Sequence, residues 1–148
     1  MIILDTNVIF ELVRATPDPD VRTWVNSRPS TQVATTVITA AELHYGVARL
    51  PAGRRRQQLA VAVSALLNDA LRGRVMPFDE RAGRRYADVV TGREHAGRPI
   101  GVADAQIAAI CRELGAVLAT RNTKDFEETG IELIDPWQAD PAPGPVGD

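Results

Sequence analysis

Short apolar runs alternate with longer stretches of helical periodicity along this chain, and that alternation predicts its architecture. Ile2-Ile3-Leu4 is an uninterrupted apolar run that stops at Asp5, as expected of a strand buried on both faces of a parallel sheet. Asn7 to Arg14 carries Val8, Ile9, Leu12 and Val13 at helical spacing, and Pro17-Asp18-Pro19-Asp20 ends that helix and opens another, with Val21, Trp24 and Val25 inward. Gln32 to Thr36 reads as a second strand. Thr39 to Leu50 reads as a helix with Ala40, Leu43 and Val47 on its buried side.

The longest helical pattern runs from Arg54 to Leu71, with Leu59, Val63, Leu66 and Ala70 on one face and Gly73 as its stop. Val75-Met76 is a short strand or linker. Asp79 is placed to cap a helix through Arg93, and Gly97 and Pro99 mark its exit. Gly101 to Leu114 puts Ala103, Ile107, Ile110 and Leu114 on one face before Gly115, and Ala116 to Ala119 is a further buried strand. A short helix over Lys124 to Glu128 and a strand over Glu132 to Ile134 follow. The sum is an α/β fold with a mainly parallel sheet of about five short strands flanked by helices, joined by right-handed crossovers.

Composition adjusts this picture in a few places. The 148 residues suffice for one domain, expected over 1–136. From Pro136 onward the chain has four prolines and two glycines in thirteen residues, so 137–148 is expected to be a disordered tail. Only three apolar residues separate Met1 from Asp5, and no run reaches membrane-spanning length, so a soluble, cytoplasmic protein without a membrane partner is expected. The single Cys111 lies among apolar neighbours and is expected to be a buried structural thiol.

A net charge of −2 argues against a protein that coats nucleic acid by bulk charge. Locally, eleven arginines face five acids between Arg49 and Arg98. Such a basic flank is either a set of solvated helix faces or a surface for a phosphodiester.

The candidate chemistry lies in Asp5, Glu42 and Asp104. Each has an ordinary reading: Asp5 as a helix N-cap, Glu42 as the end of a capping box from Thr39, Asp104 as a first-turn acid facing the helix dipole. All three nevertheless fall at strand ends or helix starts, which a parallel sheet gathers on one rim. Carboxylates gathered there repel one another unless a divalent cation neutralises them. An oxygen donor set without a Cys or His cluster suits Mg²⁺ or Mn²⁺ rather than zinc. His44 is two positions from Glu42 and faces elsewhere, and His95 reads as a surface residue. Thr6, Asn7, Thr120 and Asn122 could hold water or orient the acids, or serve only as turn and cap residues.

Ile3-Leu4-Asp5-Thr6-Asn7, Thr39-Ala40-Ala41-Glu42, Ile100-Gly101-Val102-Ala103-Asp104-Ala105 and Leu118-Ala119-Thr120-Arg121-Asn122-Thr123-Lys124-Asp125-Phe126 together resemble PIN-domain ribonucleases. Within that family the order and spacing are similar to the VapC-type toxins of bacterial toxin-antitoxin modules, FitB-like members included. The resemblance implies a PIN-like sheet flanked by helices, a Mg²⁺ or Mn²⁺ site, RNA as substrate, a homodimer and a cognate antitoxin. Asp5, Glu42 and Asp104 match the acidic positions. The family often has a fourth acid where this chain has Asn122, which bears on whether a second metal binds; Asp125 is either structural or a partial compensation.

Two other readings compete. A phosphatase of the haloacid dehalogenase type would need an acid at the place of Asn7. A catalytically weak regulatory module acting with an antitoxin on DNA is consistent with the amide at position 122.

Overall fold

The computed structural model describes residues 1–139. Five strands, β1 (Ile2–Leu4), β2 (Val33–Thr36), β3 (Val75–Met76), β4 (Val117–Ala119) and β5 (Leu133–Ile134), form one sheet in the order β3-β2-β1-β4-β5. All four pairings are parallel, with Ile3 beside Ala34 on one side and Leu118 on the other. The six helices are α1 (Thr6–Leu12), α2 (Pro19–Asn26), α3 (Val37–Ala48), α4 (Arg54–Ala65), α5 (Glu80–His95) and α6 (Val102–Leu114).

Because side chains alternate along a strand, β1 feeds two separate cores. Ile2 and Leu4 pack with Val8, Ile9, Val21, Trp24, Leu43 and Val63 from α1 to α4. Ile3 points the other way, into a cluster with Val89 of α5 and Ala105, Ala108 and Cys111 of α6. Cys111 is a free, buried thiol. The three-layer arrangement follows directly from the apolar run that both faces of β1 require.

Strand order turns at β1: β2 and β3 extend to one side, β4 and β5 to the other. A crevice therefore opens between the carboxyl ends of β1 and β4, where the connections diverge, and ligands of open α/β sheets lie at such switch points. Asp5 and Thr120 are the residues that leave those two strands.

Several local expectations need correction. The third helix begins at Val37, because Thr36 serves as its N-cap and accepts from Thr39 N at 3.1 Å; Glu42 thus lies a turn too deep to close a capping box. The pattern expected from Arg54 to Leu71 breaks at Ala65 into a π-helical turn, Leu66–Ala70, where Leu71 N bonds to Leu66 O. The extra residue rotates the face, so Leu67 and Leu71 are buried and Ala70 is exposed. In α6, Ala103 and Leu114 are exposed, and the buried side is Ala105, Ile107, Ala108, Ala109, Ile110 and Cys111. The final helical turn is 3-10 and spans Thr123–Phe126. At the start of the expected tail, residues 136–138 form a turn whose Trp137 packs on the first core; 140–148 lie outside the described residues.

No described helix is long and apolar enough to cross a membrane.

Candidate active site

Asp5 is buried, 5% exposed, and is both the N-cap of α1 and the centre of a polar network. Its Oδ1 accepts from Thr6 N at 2.8 Å. Its Oδ2 accepts from Thr120 Oγ1 at 2.7 Å and from Asn7 Nδ2 at 3.3 Å. Thr120 Oγ1 in turn accepts from Asn7 Nδ2 and from Asn122 N, both at 3.1 Å. A hydroxyl with one proton and two lone pairs is thereby fully used, and its proton can only point at Asp5.

Glu42 approaches from α3. Thr6 Oγ1 donates to its Oε1 at 3.1 Å and shares a hydrogen bond of the same length with Thr39 Oγ1. Asp104 lies in the first turn of α6 and is half-buried, with no hydrogen-bond partner among the described residues. The three acids thus arrive from the end of β1, from α3 and from the start of α6.

Their electrostatics show that they share one space. Burial pushes the Asp5 carboxyl up against the opposing pull of Thr120 and Thr6, and the charge of Asp125 pushes it further. Glu42 is raised by burial and by Asp5, with Thr6 opposing. Asp104 is pushed up to about 6, first by burial, then by Asp5, Asp125 and Glu42, while Arg93 pulls the other way. No salt bridge in the described residues involves any of the three. This pocket carries concentrated negative charge without a paired cation.

Among the described residues, no three Asp, Glu, His or Cys side chains close on a single point as a metal cage does. The donor set is nonetheless carboxylate and hydroxyl oxygen, with uncompensated charge. That combination fits a hard divalent cation that keeps much of its water and takes only one or two carboxylates directly.

Asn122 caps the 3-10 turn, but it meets the network through its backbone amide and its side chain is exposed without a hydrogen bond. The charge that reaches Asp5 and Asp104 from this segment is that of Asp125. Two contributors escaped the sequence reading. Thr39 is wholly buried beside Thr6, and only the true start of α3 would have revealed it. Arg93, 5% exposed, donates to the carbonyls of Arg98 at 2.6 Å, Asp125 at 2.8 Å and Glu127 at 2.9 Å, holding the 125–127 segment beside the pocket. An arginine late in a helix looks like a C-terminal dipole partner, and its pattern alone carries no sign of burial.

Fold and pocket define an α/β protein with an acidic site at the switch point of a parallel sheet. The PIN domain matches residues 2–132, and the chain belongs to that family. It is 43% identical to the VapC ribonuclease Y4jK of Sinorhizobium fredii, over 93% of this chain and 99% of that one. It is 35% identical to toxin FitB of Neisseria gonorrhoeae, over 93% and 99% of the two chains. Among solved structures, FitAB bound to an IR36 DNA fragment superposes with a TM-score of 0.88 at 34% identity, over 95% of this chain and 98% of that one. DNA-bound VapBC from Salmonella typhimurium superposes at 0.77 with 26% identity, over 91% and 97%.

Proposed function

We propose that this chain is a divalent-cation-dependent endoribonuclease, the toxin of a toxin-antitoxin module. The observation that carries the reading is the convergence of Asp5, Glu42 and Asp104 from three elements into one uncompensated pocket. The ribonuclease names of its relatives support the substrate class.

Asp5, Glu42 and Asp104 would hold Mg²⁺ or Mn²⁺, one or two of them directly and the rest through its water, and Asp125 would add negative charge from the rim. When bound, such an ion activates water and neutralises charge on the phosphoryl group. Thr120 and Asn7 fix the Asp5 carboxylate, and Thr6 fixes that of Glu42, so little reorganisation is needed as charge develops. Water attacks phosphorus in line and the 3′ oxygen leaves, giving a 5′-phosphate and a 3′-hydroxyl. The RNA 2′-hydroxyl takes no part. A 2′-deoxy substitution at the scissile nucleotide is therefore expected to leave the products unchanged and to slow cleavage only through weaker binding. A 2′,3′-cyclic phosphate in the product analysis would refute this route.

The partner is an antitoxin, as in the FitAB and VapBC complexes. A groove of about 950 Å³ supports this reading, lined by Phe10, Val13, Leu50 and Leu59 with Arg49 and Arg55 beside them. Phe10 and Gly46 are each one helical turn beyond Thr6 and Glu42, so the groove begins where α1 and α3 leave the acidic rim. Its occupant is an apolar antitoxin segment with acidic flanks. Purified as a pair, the two proteins should show no cleavage until the antitoxin is removed. The toxin is a homodimer in this reading.

A further inference from the structure

Beside the acids, Arg121 follows Thr120 out of β4. Its backbone amide donates to Asn7 Oδ1 at 3.1 Å, so its position is tied to the same asparagine that bonds to Asp5. Its guanidinium is exposed and rests on the Trp137 ring, 4.9 Å from the ring centroid. Trp137 is itself placed by packing on the first core and by its backbone amide, which donates to Asp135 Oδ1 at 2.9 Å. Arg121 makes no hydrogen bond or ion pair through its side chain among the described residues, whereas Arg93 and Arg98 are engaged by carbonyls and by Glu127.

A guanidinium stacked on a ring keeps its N–H donors in the ring-parallel plane, free for a phosphate, and has already lost much of its rotamer freedom. A phosphodiester approaching four nearby carboxylates meets repulsion, and a preplaced cation at the rim offsets it. We infer that Arg121, held over the Trp137 ring, is a binding residue that clamps a backbone phosphate of single-stranded RNA next to the scissile bond. The Trp137 turn is then the support of a substrate site. RNA is favoured over the antitoxin as ligand because Arg121 leaves β4 at the mouth of the β1–β4 crevice, tied through Asn7 to Asp5, and is not among the residues that line the groove.

This inference rests on the ribonuclease reading. It is tested by fluorescence anisotropy of a labelled mixed-sequence single-stranded RNA, with Asp5→Asn protein in Mg²⁺ so that binding is seen without cleavage. Adding Arg121→Ala should weaken binding about tenfold and reduce the slope of log affinity against log salt by about 0.7, the loss of one phosphate contact. Arg121→Lys should restore most of the slope but not the affinity, because an ammonium keeps the charge and loses the stacked fork. The melting temperature should change little in either, since an exposed cation–π contact contributes little to stability. Equal affinity and slope in the Asp5→Asn parent and Arg121→Ala would overturn the clamp while leaving the nuclease reading intact, whether or not antitoxin binding changes. Absence of RNA binding by the parent would remove the nuclease reading and the clamp with it.

Discussion

Asp104 is the residue at which burial and like charge combine most strongly, with its carboxyl at about 6. A carboxyl raised in the folded state binds its proton more tightly there than in the unfolded chain. Stability is therefore lost as pH rises from the ordinary carboxylate range through about 6, and Asp5 and Glu42 act in the same direction. Without divalent cations, the melting temperature should rise when pH is lowered from about 7 to about 5, and Asp104→Asn should flatten that dependence and stabilise the protein at neutral pH. Glu11, held below its usual range by Arg14, opposes this only at lower pH. A melting temperature that falls across the window, or a slope untouched by Asp104→Asn, would contradict the crowded pocket. Thr120→Val removes one hydrogen-bond partner from each of Asp5, Asn7 and the Asn122 amide, and urea unfolding should show a loss of about 1–3 kcal/mol. Asp5, Asp104 and Thr120 were legible in the sequence because each ends a strand or begins a helix, whereas Glu42, expected at a helix start, sits a turn inside α3; Thr39 and Arg93 were not, since burial of a polar side chain leaves no periodic trace.

At the scale of elements, apolar periodicity located the six α-helices and four of the five described strands, left Val75–Met76 open between strand and linker, and misplaced faces where backbone hydrogen bonds departed from the regular pattern. Thr36 moved the start of α3, and the π-helical turn after α4 exchanged Leu67 and Leu71 for Ala70. The 125–127 segment depends on Arg93, whose fork reaches carbonyls of residues 98, 125 and 127. Arg93→Lys preserves the charge but cannot span all of them, so it should cost about 2 kcal/mol in unfolding experiments. It should also weaken Mn²⁺ binding, through a less settled Asp125. Unchanged calorimetric titration in a folded Arg93→Lys protein would separate that segment from the pocket. Between α1 and α3, a Cβ added at Gly46 would stand 2.9 Å from the Phe10 ring. Gly46→Ala gains helix propensity of about 1 kcal/mol against the displacement of Phe10. Stability should change little, whereas affinity for the antitoxin should fall because Phe10 lines the groove; equal affinity would place the antitoxin elsewhere.

For the whole molecule, the parallel sheet was legible because β1 and β4 read as unbroken apolar runs and strands alternate with helices along the chain. Strand order was not, since three-residue strands carry no pairing code, and it is the order that puts the crevice beside Asp5. Everything proposed for function depends on acids from β1, α3 and α6 acting as one cation site. The most direct test incubates purified protein, freed of antitoxin, with single-stranded RNA in EDTA, Mg²⁺ or Mn²⁺, alongside Asp5→Asn and Asp104→Asn proteins shown to be folded. The account predicts cation-dependent cleavage by the wild type, 5′-phosphate and 3′-hydroxyl ends, and losses of at least about a hundredfold in either mutant. Cleavage that persists in EDTA, or full cation-dependent activity in a folded Asp5→Asn protein, would contradict it.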